Sequence, residues 1–130
     1  MSITRNVFIS WSNNGRTISD TVSRSNELAD SLDITVPGGS SPLHVIQTID
    51  VSALKVLFMS CDRDLTVKSN SNSAPDATIT LKADVPLWWD SESAYFTNPF
   101  GSTDVTSLYL TLAAGADATL KMETLSDSTP

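Results

Sequence analysis

The chain has 130 residues, a mass of 14.0 kDa, 40% hydrophobic residues and a formal charge of −7, with a pI near 4.3. That length suits one domain. Surface scaling expects roughly 6,700 Å² folded against about 20,000 Å² extended, so about two-thirds of the chain's surface can be hidden. Eight lysines and arginines against fifteen acids disfavour nucleic acid and anionic membranes as partners, since both demand clustered positive charge.

Ile3 to Trp11 mixes β-branched and aromatic residues in alternation and reads as a strand; residues 1–12 could also serve as an N-terminal arm. Asn14-Gly15 is a two-residue hairpin signal, because both positions accept positive φ. Arg16 to Arg24 alternates again and reads as the return strand. Ser25 to Ser31 is polar, and Asn26-Glu27-Leu28-Ala29 suggests a short helical turn. Leu32, Ile34 and Val36 alternate with Asp33 and Thr35 as a half-buried strand. Residues 37–42, Pro-Gly-Gly-Ser-Ser-Pro, form the clearest loop. Leu43 to Ile49 is β-prone.

The next segment is met twice. Asp50-Val51-Ser52-Ala53-Leu54-Lys55-Val56-Leu57 is echoed by Asp104-Val105-Thr106-Ser107-Leu108-Tyr109-Leu110-Thr111. Each copy runs through a polar turn into a second β-prone run, Asp64 to Lys68 and Asp117 to Lys121. Each is expected to be a strand–turn–strand hairpin. Between them lie a Ser/Asn loop (69–75), a strand over Ala77 to Lys82, a short strand over Val85 to Trp89, and a long connection from Asp90 to Ser102. Pro86 assigns that short strand to a sheet edge or to a strand start. Residues 126–130 read as a flexible tail. No stretch sustains a 3.6-residue period. The sequence therefore predicts a single all-β domain over 1–130, an antiparallel β-sandwich or jelly-roll-like barrel of eight or nine short strands.

Candidate sites are few. Trp88-Trp89 is the most unusual dipeptide. Neighbouring strand residues face opposite ways, so one ring is expected in the core and the other outside. With Tyr95 or Phe96, the outer ring would make a platform for a sugar or a protein; the bland alternative is that the following loop covers it. Truncating the outer ring is expected to leave stability nearly unchanged. Asp62-Arg63-Asp64 offers two carboxylates in a turn, but a calcium loop needs more oxygen donors and Arg63 would repel the ion, so a solvated turn is the reading. His44, the single histidine, has no Cys or acid at a ligand spacing, and supports neither a zinc site nor a Ser-His-Asp triad. Cys61 has no disulfide partner and reads as a structural thiol. Asp90 and Glu92 would share a strand face if the strand continued, a pair to compare with glycosidase acids, but nothing in their context would raise a pKa. No catalytic, metal or cofactor site is predicted.

The acid is uneven: residues 76–130 carry eight acids and two bases, residues 1–75 seven acids and six bases. The negative part suits solubility or a basic partner surface. No leader peptide or membrane-length apolar run is present, so synthesis in a reducing cytoplasm is expected.

The strand Asp50 to Lys55, the Asp62-Arg63-Asp64-Leu65-Thr66-Val67-Lys68 run, the Ser/Asn loop, Thr78 to Trp89, and Asp104 to Tyr109 follow one another in an order that resembles small β-rich virion proteins of tailed bacteriophages, of the capsid decoration (cement) or head-associated type. The resemblance spans residues 43–130 and carries no residue-level site. It implies a non-catalytic protein made in the host cytoplasm and placed on the capsid surface of the virion. Its partners would be the major capsid protein or other virion proteins, and it would be a homo-oligomer, commonly a trimer. Other virion roles, a head–tail connector or tail protein, belong to the same setting. A carbohydrate-binding β-sandwich using Trp88, Trp89 and Tyr95 is the rival from another class.

Overall fold

The computed structural model describes residues 3–13, 15–26, 28–92 and 96–127. Ten strands account for most of them: β1 (Ile3–Asn13), β2 (Arg16–Asn26), β3 (Leu28–Val36), β4 (Leu43–Ile49), β5 (Leu54–Cys61), β6 (Leu65–Ser69), β7 (Thr78–Leu81), β8 (Leu87–Asp90), β9 (Val105–Thr111) and β10 (Ala118–Ser126). There is no helix among the described residues.

The expected β-sandwich is the observed architecture. Sheet I has the order β3-β10-β5-β8 and sheet II the order β4-β9-β6-β7, with every neighbour antiparallel. The pairs nest. β3 pairs with β10, β4 with β9, β5 with β8 and β6 with β7, as if a long antiparallel ribbon had been bent into two layers. Alternation follows from that layering: in β6, Leu65, Val67 and Ser69 are buried while Thr66 and Lys68 are partly exposed. The core between the sheets takes Leu57, Met59, Leu120 and Met122 from sheet I and Leu65, Val67, Ile79, Leu81, Leu108 and Leu110 from sheet II. Phe100, 1% exposed, packs with this core from the long connection.

Two expectations are corrected. The repeated segments are not hairpins. β5 lies in sheet I and β6 in sheet II, and β9 and β10 are divided in the same way. All four strands carry buried inward residues, and a strand pair that closed as a hairpin would leave the facing layer unfilled. The chain instead crosses the sandwich, about 10 Å thick, at the turns 62–64 and 112–117. The two copies then pair crosswise, β5 with β10 and β6 with β9. The first copy also begins later than its echo: Val51 to Ala53 form a turn before β5, whereas β9 starts at Val105. The second correction concerns Asn26 to Ala29. No helical turn forms there among the described residues, Glu27 lying outside them. Asn26 ends β2, and β3 already pairs from Leu28, opposite Ser126. The long strand β10 reaches far enough to supply backbone partners to this polar stretch.

The crossings are tied to each other at one end of the sandwich. Asp62 Oδ1 accepts the Thr119 N–H at 2.8 Å, and the Arg63 guanidinium donates to the carbonyls of Ala113, Ala114 and Ala116. The loop after β3 joins them: Asp117 Oδ1 accepts the Gly38 N–H, and Gly39 N donates to Ala113 O. Gly38 approaches so closely that a Cβ would stand 2.0 Å from the Gly115 carbonyl oxygen. At the other end Asn70, with φ of +68°, donates to Asp76 and to the Asp104 carbonyl and accepts from Thr106.

β1 and β2 form a separate two-stranded ribbon, turned at Gly15 (φ +78°) as the Asn-Gly signal predicts. It lies against the outer side of sheet I, where Asn6 and Phe8 line a cleft of about 260 Å³ with Val56, Phe58, Glu123 and Leu125. Val56 and Leu125 are 5% and 0% exposed, though both face outward from the sheet opposite one another. The total surface of 7601 Å² exceeds the compact-domain expectation by roughly 900 Å², as an added ribbon should. Within the expected tail, Ser126 is instead the last residue of β10 and Asp127 N donates to Ala53 O, while 128–130 fall outside the described residues.

Candidate functional site

β8 is an edge strand of sheet I, with β3 at the opposite edge, as Pro86 predicts. Its pairing fixes the two tryptophans. Trp89 sits opposite Leu57, a core residue, and is 8% exposed. Trp88 sits opposite Phe58, whose other neighbour is Glu123, and this row faces outward. One ring is in the core and one is outside, and the outer ring is Trp88.

The connection after β8 folds back on this edge. Trp89 Nε1 donates to the Phe96 carbonyl at 3.3 Å. The Phe96 side chain, 72% exposed, projects into solvent. Between β8 and residues 96–99 runs a groove of about 380 Å³, walled by Pro86, Leu87, Trp88 and Trp89 on one side and by Phe96, Thr97 and Pro99 on the other. The structure thus brings Trp88, Trp89 and Phe96 together. Tyr95, expected beside them, lies outside the described residues. Trp88 is only half-exposed, and its Nε1 is buried with no hydrogen-bond partner among the described residues. Among the described residues the groove lining is aromatic and aliphatic, with Thr97 as its one hydroxyl and no titratable group. Chemically it can stack on or pack against a flat, weakly polar face.

The other candidates fall elsewhere and are engaged structurally. Asp90 is 2% exposed and its Oδ1 accepts the Glu92 N–H at 2.9 Å, so the chain turns at this point and the two acids do not share a strand face. Asp62 and Asp64 point to different segments. Asp64 Oδ1 accepts the Ala83 N–H at 2.8 Å and Oδ2 lies 3.5 Å from Lys82 Nζ. The Ala83 N–H first, and the Lys82 charge second, hold the Asp64 carboxyl below its ordinary value. The turn is therefore a clamp and not merely solvated charge. Among the described residues no three His, Cys, Asp or Glu side chains gather as a metal site. His44 lies on the outer side of β4, its ring stacked on Tyr109 at 4.6 Å and 8°. Cys61 is buried, 1% exposed.

Two surface features escaped the sequence reading. The His44–Tyr109 stack needs the β4–β9 register, which joins residues far apart in the chain. The cleft beneath β1 was foreshadowed only by the unbroken apolar run Val56 to Met59, which signals a strand covered on both faces but not what covers it. No family model, curated protein or solved structure matches the chain.

Proposed function

We propose that this chain is a structural virion protein, a decoration or cement protein that binds the outer surface of a bacteriophage capsid, stabilises the head and performs no catalysis. The observation that supports it is the strand order. Eight strands in two four-stranded sheets, paired as nested partners, suit a jelly-roll reading of the sandwich, an architecture that serves in viral capsid and lectin domains. The order of sequence motifs over residues 43–130 points the same way. In this reading the protein is made in the host cytoplasm, assembles as a homo-oligomer such as a trimer, and docks on the major capsid protein or another virion protein. Binding only the assembled shell stabilises that shell by mass action. The charge of −7 argues against nucleic acid as the partner, and no helix is long and apolar enough to cross a membrane. The test is co-sedimentation with purified DNA-filled heads. Saturable binding supports the proposal; absence from the particle ends it, while recovery with connectors or tails would move it to those parts of the virion.

The groove at β8 favours one second reading, a carbohydrate-binding module. Trp88 and Phe96 offer apolar faces to a sugar ring. A tryptophan fluorescence titration with polysaccharides decides it: no quenching or shift at saturating glycan rejects the sugar.

A further inference from the structure

The sandwich has four edge strands, β3 and β8 in sheet I and β4 and β7 in sheet II. An edge strand presents backbone N–H and C=O groups that can pair with another chain unless something blocks it. Three of the four edges are blunted. β7 and β8 are only four residues long, and β8 starts directly after Pro86. β3 carries Asp30 and Asp33, and Asp30 reaches across to sheet II, where its Oδ2 accepts from Gln47 Nε2 at 3.1 Å.

β4 is different. Its seven residues, Leu43–Ile49, include no Asp, Glu, Lys, Arg or Pro. Its one irregularity, a register shift against β9 between Ile46 and Ile49, leaves it extended to its end. Among the described residues it pairs with β9 alone. His44, Ile46 and Thr48, the outward positions, are all exposed. Ile46 stands at the middle of the strand and is 74% exposed; its neighbour on β9 is the small Ser107, which covers little of it.

The strand is also complementary to itself. Laid antiparallel on a copy of itself about a two-fold axis at Ile46, all seven residues find partners: Leu43 with Ile49, His44 with Thr48, Val45 with Gln47, and Ile46 with Ile46. Every pair joins residues of one face. Inward positions meet inward positions, and the most exposed apolar side chain of the strand meets its own copy. A slip of one residue would mix the faces, and a slip of two would leave strand ends unpaired and move Ile46 off the axis.

We infer that β4 pairs antiparallel with β4 of a second copy of the chain, which joins two copies of sheet II into one eight-stranded sheet of order β7-β6-β9-β4-β4-β9-β6-β7. The open backbone edge selects a strand as occupant, and the self-matching register selects this strand. The contact is isologous and closes at a dimer. The outward positions that continue from β4 across sheet II, Ser107, Tyr109 and Lys68, bring no carboxylate to the seam. One strand pair belongs to the small end of specific interfaces, below about 1,200 Å² in total, so the dimer is weak and concentration-dependent. Each copy carries a charge of −7, so the copies repel at long range and salt strengthens the pairing by screening. The inference concerns self-association alone and does not rest on capsid binding.

Sedimentation of the full chain, without any capsid, tests it. The mass should rise from 14.0 kDa towards twice that value as concentration approaches about 1 mM, the range that reveals weak dimers. It should rise more readily at about 0.15 M salt than at about 0.01 M, because the screening length shortens from about 30 Å to about 8 Å. Ile46→Lys sets two ammonium groups opposite each other on the axis and should weaken association about tenfold or more. The melting curve of dilute protein should not change, because the position is exposed. Ile46→Cys reads the register. Directly opposed Cβ atoms in an antiparallel pair lie about 4.5–5.5 Å apart, close to disulfide spacing. Under mild oxidation this variant should form a linked dimer many times faster than Thr80→Cys, an exposed position on β7. Cys61, 1% exposed, does not compete. A 14.0 kDa monomer up to about 1 mM overturns the inference, as does a dimer that Ile46→Lys leaves intact, or cross-linking no faster at position 46 than at position 80. Each of these results leaves capsid binding to its own co-sedimentation test.

Discussion

Truncating Trp89 and Trp88 one at a time probes both the layering of the sandwich and the groove on its edge. Trp89 is 8% exposed, packs in the core and loses its Nε1 bond to the Phe96 carbonyl when replaced. Trp89→Ala should therefore cost about 3–5 kcal/mol, the usual range for emptying an aromatic core site. For a chain this size that lowers the melting temperature by about 10–20 °C. Trp88 is a different case. Its outward ring is partly covered beside Phe58, so truncation returns on the order of 100 Å² of apolar contact to water, about 2.5 kcal/mol. Against this, Trp88→Ala removes a buried N–H with no partner among the described residues, a relief of about 1 kcal/mol or more. The net is about 1–2 kcal/mol, more than the near-zero effect that alternation alone suggested. Trp88→Phe keeps the ring contact and removes the donor, so it should be neutral within about 1 kcal/mol, whereas Trp89→Phe loses a satisfied bond. Urea titration followed by circular dichroism reads all four. Equal destabilisation by Trp88→Ala and Trp89→Ala would refute the inside–outside assignment and with it the groove as a binding face.

Other perturbations test the clamps. Arg63→Lys keeps the charge but cannot reach the carbonyls of Ala113, Ala114 and Ala116 together; it should cost about 1–2 kcal/mol in urea, close to the loss in Arg63→Ala, because the planar fork matters more than the charge. Gly38→Ala places a Cβ 2.0 Å from the Gly115 oxygen, so it should lower the melting temperature by several degrees at least; an unchanged melt would mean that the loops do not touch in solution. Asp64 has a folded pKa below its ordinary value. Its stabilising contribution is present above the ordinary carboxylate pKa and is lost as pH falls through the folded one. Asp64→Asn should therefore flatten the pH dependence of unfolding below about pH 4 and leave the slope near neutrality unaltered.

Much of this fold is readable in one dimension, and the unreadable part has a common cause. Asn14-Gly15 locates the ribbon turn, Pro86 marks an edge strand, the loop 37–42 separates β3 from β4, and Trp88-Trp89 divides between faces by simple alternation. Each is a local rule of backbone sterics or strand geometry. Partner choice is not local. A three-residue turn at 62–64 serves a hairpin or a crossing equally well, and only the existence of two layers with inward residues to bury selects the crossing. Ser25 to Ser31 lacks apolar alternation because β3 is held there through backbone bonds to β10, nearly a hundred residues away. For the candidate site, Trp88 and Trp89 were visible as unusual residues, but the groove wall at Phe96 to Pro99 depends on how the connection returns.

The placement of β10 has a consequence for synthesis. It lies between β3 and β5, and β9 lies between β4 and β6. The last strands translated are thus the interior members of both layers. A nascent chain that has emerged from the ribosome through β8 has hydrogen-bonding edges on β3, β4, β5 and β6 that its own sequence has not yet supplied. Vectorial folding of the sandwich is ruled out by this order, and the domain must wait for residue 126 before either sheet closes. Such long-range closure folds slowly and leaves strand edges open to other chains meanwhile. Ribosome-stalled intermediates ending near residue 104 should accordingly be protease-sensitive throughout, and expression yield should be limited by this interval more than by the stability of the finished protein.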